Sequence, residues 1–274
     1  MSETQSNASA AKPETPENEL VLIEDHDTWA LMTINRPEKR NAMSRAAQRR
    51  FMEALDEVRD KRAVVLTGVG PSFCAGVDLK EGAANAGSRA ESSGQQDSWS
   101  ACNEAVRRHP AIFIAAVNGF ALGGGSTLIH NCELAVAGES ATIGTPEIGF
   151  GAWPGLAGPA LIKRVLPKHA AEIIFLAQRI DAATAYRMGI VNEVVADDQL
   201  LTRATELAEH IGKFDRTVLD WGKKAFRQMI SLSWDDAMDL SRYTRWAVDS
   251  NRAQVEGFSM QDFAEGKRGT GQGA

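Results

Sequence analysis

The sequence predicts an α/β fold with mostly buried strands, followed by a region that is helical only. Two observations carry this expectation. From residue 19 to about residue 197, short apolar runs alternate with stretches of helical spacing, as in proteins built on largely parallel sheets. Beyond that point only the helical period recurs. With 274 residues, 43% of them apolar and 24% charged, the chain has enough apolar material for a sizeable core.

The elements follow in order. LVLIED (20–25) and WALMTIN (29–35) read as two strands joined at a polar turn, and RPEKRNAMS (36–44) as a loop. Ser44 is placed to cap a helix whose stripe is Ala47, Phe51, Leu55 and Val58. AVVLTG (63–68) is a buried strand stopped by the turn GVGP. A helix over 99–107 and a strand over 111–119, ending in an Asn-Gly turn, repeat the order, and GGGSTLIHN (123–131) starts another helix. ELAVAG and ATIG are short strands; PEIGFGAWPG (146–155) is a loop before a helix at 169–178. The segment between, AANAGSRAESSGQQDS (83–98), is polar and reads as a loop.

In the last region Leu200, Leu201, Ala204, Leu207, Ala208 and Ile211 form one amphipathic face, and Val218, Trp221, Ala225 and Met229 the next. Residues from Trp234 to about Glu265 supply one or two more helices. This region, 198–274, carries Trp221, Trp234 and Trp246 and is expected both to fold back on the core and to contact other subunits. Residues 1–18 read as a flexible polar tail and 19–197 as the α/β core.

Composition excludes several function classes. A net charge of -6 opposes broad nucleic-acid binding. No apolar run reaches bilayer length and no signal-peptide pattern opens the chain, so a cytoplasmic protein is the expectation. Cys74, Cys102 and Cys132 form no CxxC pair, and no histidine spacing suggests a metal site. His130 lies about 300° around its helix from Thr127, which permits a shared role without requiring it, and reads as a solvated or hydrogen-bonded core side chain. Neither a dinucleotide fingerprint, a phosphate-binding P-loop nor a GxSxG elbow is present.

The run Gly123, Gly124, Gly125 supports two readings: close packing of a helix on a strand, or backbone N–H groups near AGVDL and within GGG converging on one oxygen that becomes negative. Glu147, among glycines, Pro146 and apolar neighbours, is the carboxylate whose surroundings would raise its pKa toward that of a general base.

Four blocks together resemble the crotonase superfamily, the enoyl-CoA hydratase/isomerase group, from Leu20 to about Lys267: INRPEKRNAMS, VVLTGVGPSFCAGVDLKEG, PAIFIAAVNGFALGGGSTL and ATIGTPEIGFGAWPG. The resemblance implies a spiral of β-β-α repeats with a C-terminal helical region that helps build trimers or hexamers. It implies an oxyanion hole from the N–H groups of Val77 and Gly124, holding the thioester oxygen of a coenzyme A ester as it becomes an enolate. Coenzyme A enters as part of the substrate, bordered by Ala75, Val77 and Leu79, with Lys39 near its phosphates. No prosthetic group is implied.

Glu147 matches one of the two glutamates of the true hydratases, whereas the other falls at Thr127. A hydroxyl can hold a water but cannot take its proton at neutral pH. The resemblance therefore implies one glutamate acting as acid and base, as in enoyl-CoA isomerases and the hydroxycinnamoyl-CoA hydratase-lyases. The tyrosines that hold a phenol in the latter are unmatched, with Gly82 and Leu240 in their places. No aspartate lies in 149–158, which disfavours dienoyl-CoA isomerase and hydroxyisobutyryl-CoA hydrolase chemistry. Gly266 stands where many hydratases place a CoA-contacting lysine, with Lys267 next. An alternative is an acyl-CoA binding protein that has lost catalysis with its second glutamate.

Overall fold

The apolar runs become two sheets because successive strands are shared between them. The computed structural model describes residues 15–84, 89–251 and 264–265. Ten strands occur among these: β1 Val21–Asp25, β2 Trp29–Ile34, β3 Ala63–Gly68, β4 Ser72–Cys74, β5 Ile112–Val117, β6 Phe120–Leu122, β7 Leu134–Gly138, β8 Thr142–Gly144, β9 Arg179–Asp181 and β10 Glu193–Val195. The larger sheet has the order β1-β2-β3-β5-β7-β10 and the smaller β4-β6-β8-β9. Thus β3, β5 and β7 each send the chain on to β4, β6 and β8 of the other sheet before a helix returns it. The result is a spiral of β-β-α turns. Only β1 on β2 and β9 on β8 run antiparallel.

The helices are α1 Arg45–Glu57, α2 Leu79–Ala84, α3 Arg89–Arg108, α4 Gly124–Asn131, α5 Ala157–Ile162, α6 Pro167–Phe175, α7 Ala182–Arg187, α8 Leu200–Ile211, α9 Arg216–Met229 and α10 Trp234–Asn251. Ser44 caps α1 by accepting a hydrogen bond from Ala47 N–H, and Ala47, Phe51, Leu55 and Val58 are all buried, as their spacing predicts. Within β3 every residue is buried. Alternation divides them between two cores, with Val64 and Leu66 facing one and Ala63 and Val65 the other.

Helix α8 makes that second core. Leu200, Ala204, Ala208 and Ile211 pack with Trp29, Leu31, Ile114 and Val136. The first helix beyond residue 197 is therefore a layer of the main body. At the other end, Glu17–Glu19 forms a short 3-10 turn, and Glu17 pairs with Arg49 of α1 at 2.5 Å. Of the expected tail, residues 1–14 lie outside the described residues.

Three expectations are corrected. Residues 89–98 are helical, because α3 starts ten residues before Trp99; their polar composition suits a helix. PEIGF forms a 3-10 turn, Pro146–Phe150, opened by a proline at its first position. Helix α9 docks only in part as its stripe predicts: Ala225 is buried and Trp221 and Met229 are half-buried, but Val218 is 41% exposed, and Lys223, outside the stripe, is buried. Lys223 Nζ donates to the carbonyls of Ala111 (2.7 Å) and Val106 (3.3 Å) and pairs with Glu133 at 3.1 Å. Arg227 joins the same carboxylate and donates to Asn131 O. A charged seam thus adds to the expected apolar stripe in holding α9.

Candidate active site

Each element of the site is positioned by backbone hydrogen bonds that its neighbours complete. The loop RPEKRNAMS is fastened by Asn41, whose side-chain oxygen accepts from Arg36 N–H at 2.8 Å and whose nitrogen donates to the carbonyls of Val69 (3.0 Å) and Ser72 (2.5 Å). Arg36 in turn pairs with Asp78 at 2.6 Å. Asp78 also accepts from the N–H groups of Lys80 and Glu81 and so opens α2. Burial by itself would raise the Asp78 pKa, but the bonds from Arg36 and the two amides outweigh it and hold the carboxyl below its ordinary value.

Val77 lies beside Met43 in a parallel bridge. Met43 N–H donates to Gly76 O at 2.8 Å and Asp78 N–H to Met43 O at 3.2 Å. In this pattern the residue between directs its own N–H to the opposite side. The Val77 amide accordingly has no acceptor among the described residues. The Gly124 amide opens α4 and is also without one, as expected of the first turn of a helix.

The three glycines bring these amides together. A β-carbon on Gly76 would lie 3.1 Å from Gly124 N, and one on Gly125 would overlap the Cys74 carbonyl. Gly123 has φ 55° and ψ -130°, and its N–H donates to Gly144 O at 2.8 Å. Close packing is therefore a sufficient reason for the glycine run, and it is what leaves the Gly124 amide beside the Gly76–Val77 peptide.

Glu147 sits in the 3-10 turn between β8 and α5. Its carboxylate lies against Gly123, and its Oε2 is buried without a hydrogen-bond partner among the described residues. Burial raises its pKa above the ordinary carboxylate value, with a smaller lowering effect from its own backbone N–H. A shift in this direction suits a carboxylate to exchange protons with a substrate.

A cavity of about 470 Å³ gathers these groups. Ala75, Val77, Leu79, Gly124 and Glu147 all line it, so five of the seven site residues expected from the sequence share one wall. Lys39 is exposed and does not line the cavity. Thr127 is 1% exposed and lines an adjoining cavity, its Oγ1 also unpartnered among the described residues. Gly266 and Lys267 lie outside the described residues.

Trp99 was not singled out as a site residue. Its indole N–H donates to Gly124 O at 3.2 Å and its ring lines the cavity, so it steadies the first residue of α4. The available signal was the buried set Trp99, Cys102, Asn103 and Val106, which has helical spacing. The thiols are core groups: burial pushes Cys74 and Cys102 up to about 12, and Cys132 is raised as well. Among the described residues no cluster of metal-ligating side chains occurs, and no helix is long and apolar enough to cross a membrane.

Comparison with known proteins agrees over most of the chain. A family profile described as enoyl-CoA hydratase/isomerase matches residues 24–269. A short-chain-enoyl-CoA hydratase of Clostridium acetobutylicum is 33% identical over 227 residues, 80% of this chain and 85% of its own. A mevalonyl-coenzyme A hydratase of Aspergillus fumigatus is 38% identical over 188 residues, 67% of this chain and 68% of its own. The crystal structure of an enoyl-CoA hydratase from Bacillus anthracis superposes with a TM-score of 0.84 at 28% identity, covering 92% of this chain and 100% of that one.

Proposed function

The chain belongs to the enoyl-CoA hydratase/isomerase family, whose substrates are CoA thioesters, and from that premise we propose that Val77 and Gly124 N–H hold the thioester oxygen while Glu147 moves the proton. The observation that carries this reading is the meeting of two unpaired amides and one desolvated carboxylate in a single cavity.

The chemistry follows from charge. Removing a proton next to a thioester places negative charge on its oxygen, and two fixed donors stabilise that oxyanion with no reorganisation. Glu147, with its raised pKa, takes the proton as the enolate forms and returns it to another carbon. One carboxylate suffices for moving a double bond along the acyl chain. Hydration, alone or coupled to carbon–carbon cleavage, is the second reading, favoured by the hydratase names of the relatives; Thr127 would then hold the water that Glu147 activates. Ala75 and Leu79 border the CoA arm at the cavity mouth, with Lys39 near its phosphates.

The test is a panel of 2-enoyl-, 3-enoyl- and aryl-enoyl-CoA esters with products identified by chromatography and mass. Interconversion of 2- and 3-enoyl esters supports isomerisation, and a gain of water supports hydration. Absence of both, with tight thioester binding, would reduce the protein to a carrier. Thr127→Glu should raise water addition to crotonyl-CoA; a folded variant with no gain would show that the missing carboxylate is not what limits hydration.

The same reading takes the exposed side chains of the C-terminal helices as contacts between copies, in a homotrimer or a dimer of trimers. Trp234, Tyr243 and Trp246 of α10 are 79%, 71% and 71% exposed, and Phe226 and Ile230 beside them about half exposed. A mass by light scattering equal to that of one chain would remove this assignment.

A further inference from the structure

Beside the catalytic cavity lies a second one of about 710 Å³, and the two share Ser100 and Leu156 in their walls. Helix α4 runs from one to the other: Gly124 lines the first, Thr127 and His130 the second. At 1.5 Å per residue these positions lie about 4.5 and 9 Å along the axis from Gly124, a distance spanned by an acyl chain of several carbons.

The second cavity is cationic. Arg107, Arg108, Lys163, Arg164 and Arg227 line it, against Glu104 as the one acidic side chain in its wall. Glu104 is engaged by Arg108 at 2.6 Å. The side chains of Arg107, Lys163 and Arg164 line it with neither an ion pair nor a hydrogen bond among the described residues. His130 adds no charge, since burial and the nearby Arg164 push its pKa down to about 4.

Placement at the ends of α3 and α5 would account for Arg107, Arg108 and Lys163 through the helix dipole. Arg227 likewise sits in the last turn of α9, but the dipole does not account for its open donors. That side chain is only 8% exposed, and although Nη2 serves Glu133 and Asn131 O, its Nε and Nη1 are buried with no partner among the described residues. Thr127 Oγ1, in the same wall, is likewise unpartnered. Arg164 is half-buried, and burial followed by repulsion from Arg227 lowers its pKa. Buried guanidinium donors left open beside like charges are what an anion would satisfy.

We propose that this second cavity receives the far end of the acyl group and takes a carboxylate there, so that the preferred substrates are CoA monothioesters of dicarboxylic acids. The inference rests on the reading above that the thioester oxygen sits at Val77 and Gly124. The planar forks of Arg164 and Arg227 suit a carboxylate.

Calorimetric binding of adipoyl-CoA and hexanoyl-CoA, which are saturated and differ in the terminal carboxylate, tests the site apart from catalysis. Adipoyl-CoA should bind at least about tenfold more tightly, the fold-change of one charge-assisted hydrogen bond. In the doubly substituted Lys163→Gln, Arg164→Gln protein the preference should fall to within about twofold, with hexanoyl-CoA affinity unchanged. Equal binding of the two esters by the natural protein overturns the inference while leaving the catalytic reading intact. A carboxylate preference without turnover of the corresponding 2-enoyl esters does the reverse. If neither ester binds, both fail. If the double variant changes the oligomeric mass but not the preference, a second copy of the chain fills the cavity and the inference is overturned.

Discussion

The carboxylate of Glu147 lies directly over Gly123: a β-carbon on that glycine would stand 2.9 Å from Oε1. The glycine preceding the amide proposed for the oxyanion thus also makes room for the proposed acid and base. A spot on α4 that looks like one functional feature in the sequence serves two parts of the site.

Gly123→Ala should therefore damage the protein twice. The residue has φ 55°, ψ -130°, a conformation that costs a side chain about 1–3 kcal/mol, and the new methyl displaces the carboxylate. Urea denaturation should show a loss of about that size, and turnover should fall more than KM rises. An unchanged kcat in the folded variant would dissociate Gly123 from the placing of Glu147.

Glu147→Gln should lower kcat by about 10²- to 10⁴-fold, the contribution of a positioned acid or base. In the natural enzyme, the acid limb of kcat/KM should lie above the ordinary carboxylate pKa, because burial raises that of Glu147. Stability follows the same sign. A carboxyl with a raised folded-state pKa contributes most below its unfolded pKa, and that contribution is lost as pH rises through the folded value. The Gln variant should melt higher than the natural protein at neutral pH, and its advantage should vanish in acid. Melting curves across that range check both.

Glu133→Gln should destabilise the fold by about 3–5 kcal/mol, the cost of removing one partner from a buried ion pair. It leaves Lys223 and Arg227 buried without their carboxylate; Lys223 has its pKa lowered chiefly by burial, with Glu133 the largest opposing influence. Denaturant unfolding measures the loss. Adding Lys223→Met should restore part of it, since the second substitution removes a stranded charge.

Cys74, Cys102 and Cys132 should resist a thiol reagent in the native protein and react when it is unfolded in urea. Burial raises all three pKa values and keeps the thiolate rare. Rapid labelling of a native thiol would show that one of these sites opens.

Much of the fold was legible. The continuous apolar run of β3 and the stripe Ala47, Phe51, Leu55, Val58 announce a buried strand and an amphipathic helix because local periodicity reports which faces meet a core. The short strands β4, β6 and β9, three residues each, were not legible, since pairing partners far along the chain and not local composition make them strands. Helix α9 was legible only in part, for a related reason. Periodicity points to apolar side chains as the docking face and cannot anticipate a buried Lys223–Glu133 pair linking residues 90 positions apart.

By itself the sequence determined the alternation of strands and helices, the family resemblance and the choice of Glu147, Val77 and Gly124 as candidates, because those depend on residue type and order. Only the tertiary structure decided that Glu147 rests on Gly123, that Trp99 steadies Gly124, that Thr127 faces an adjoining cavity, and that Arg107, Arg164 and Arg227 come together in its wall. Those relationships join elements distant in the chain, so they exist only once the spiral has closed and its helices have packed.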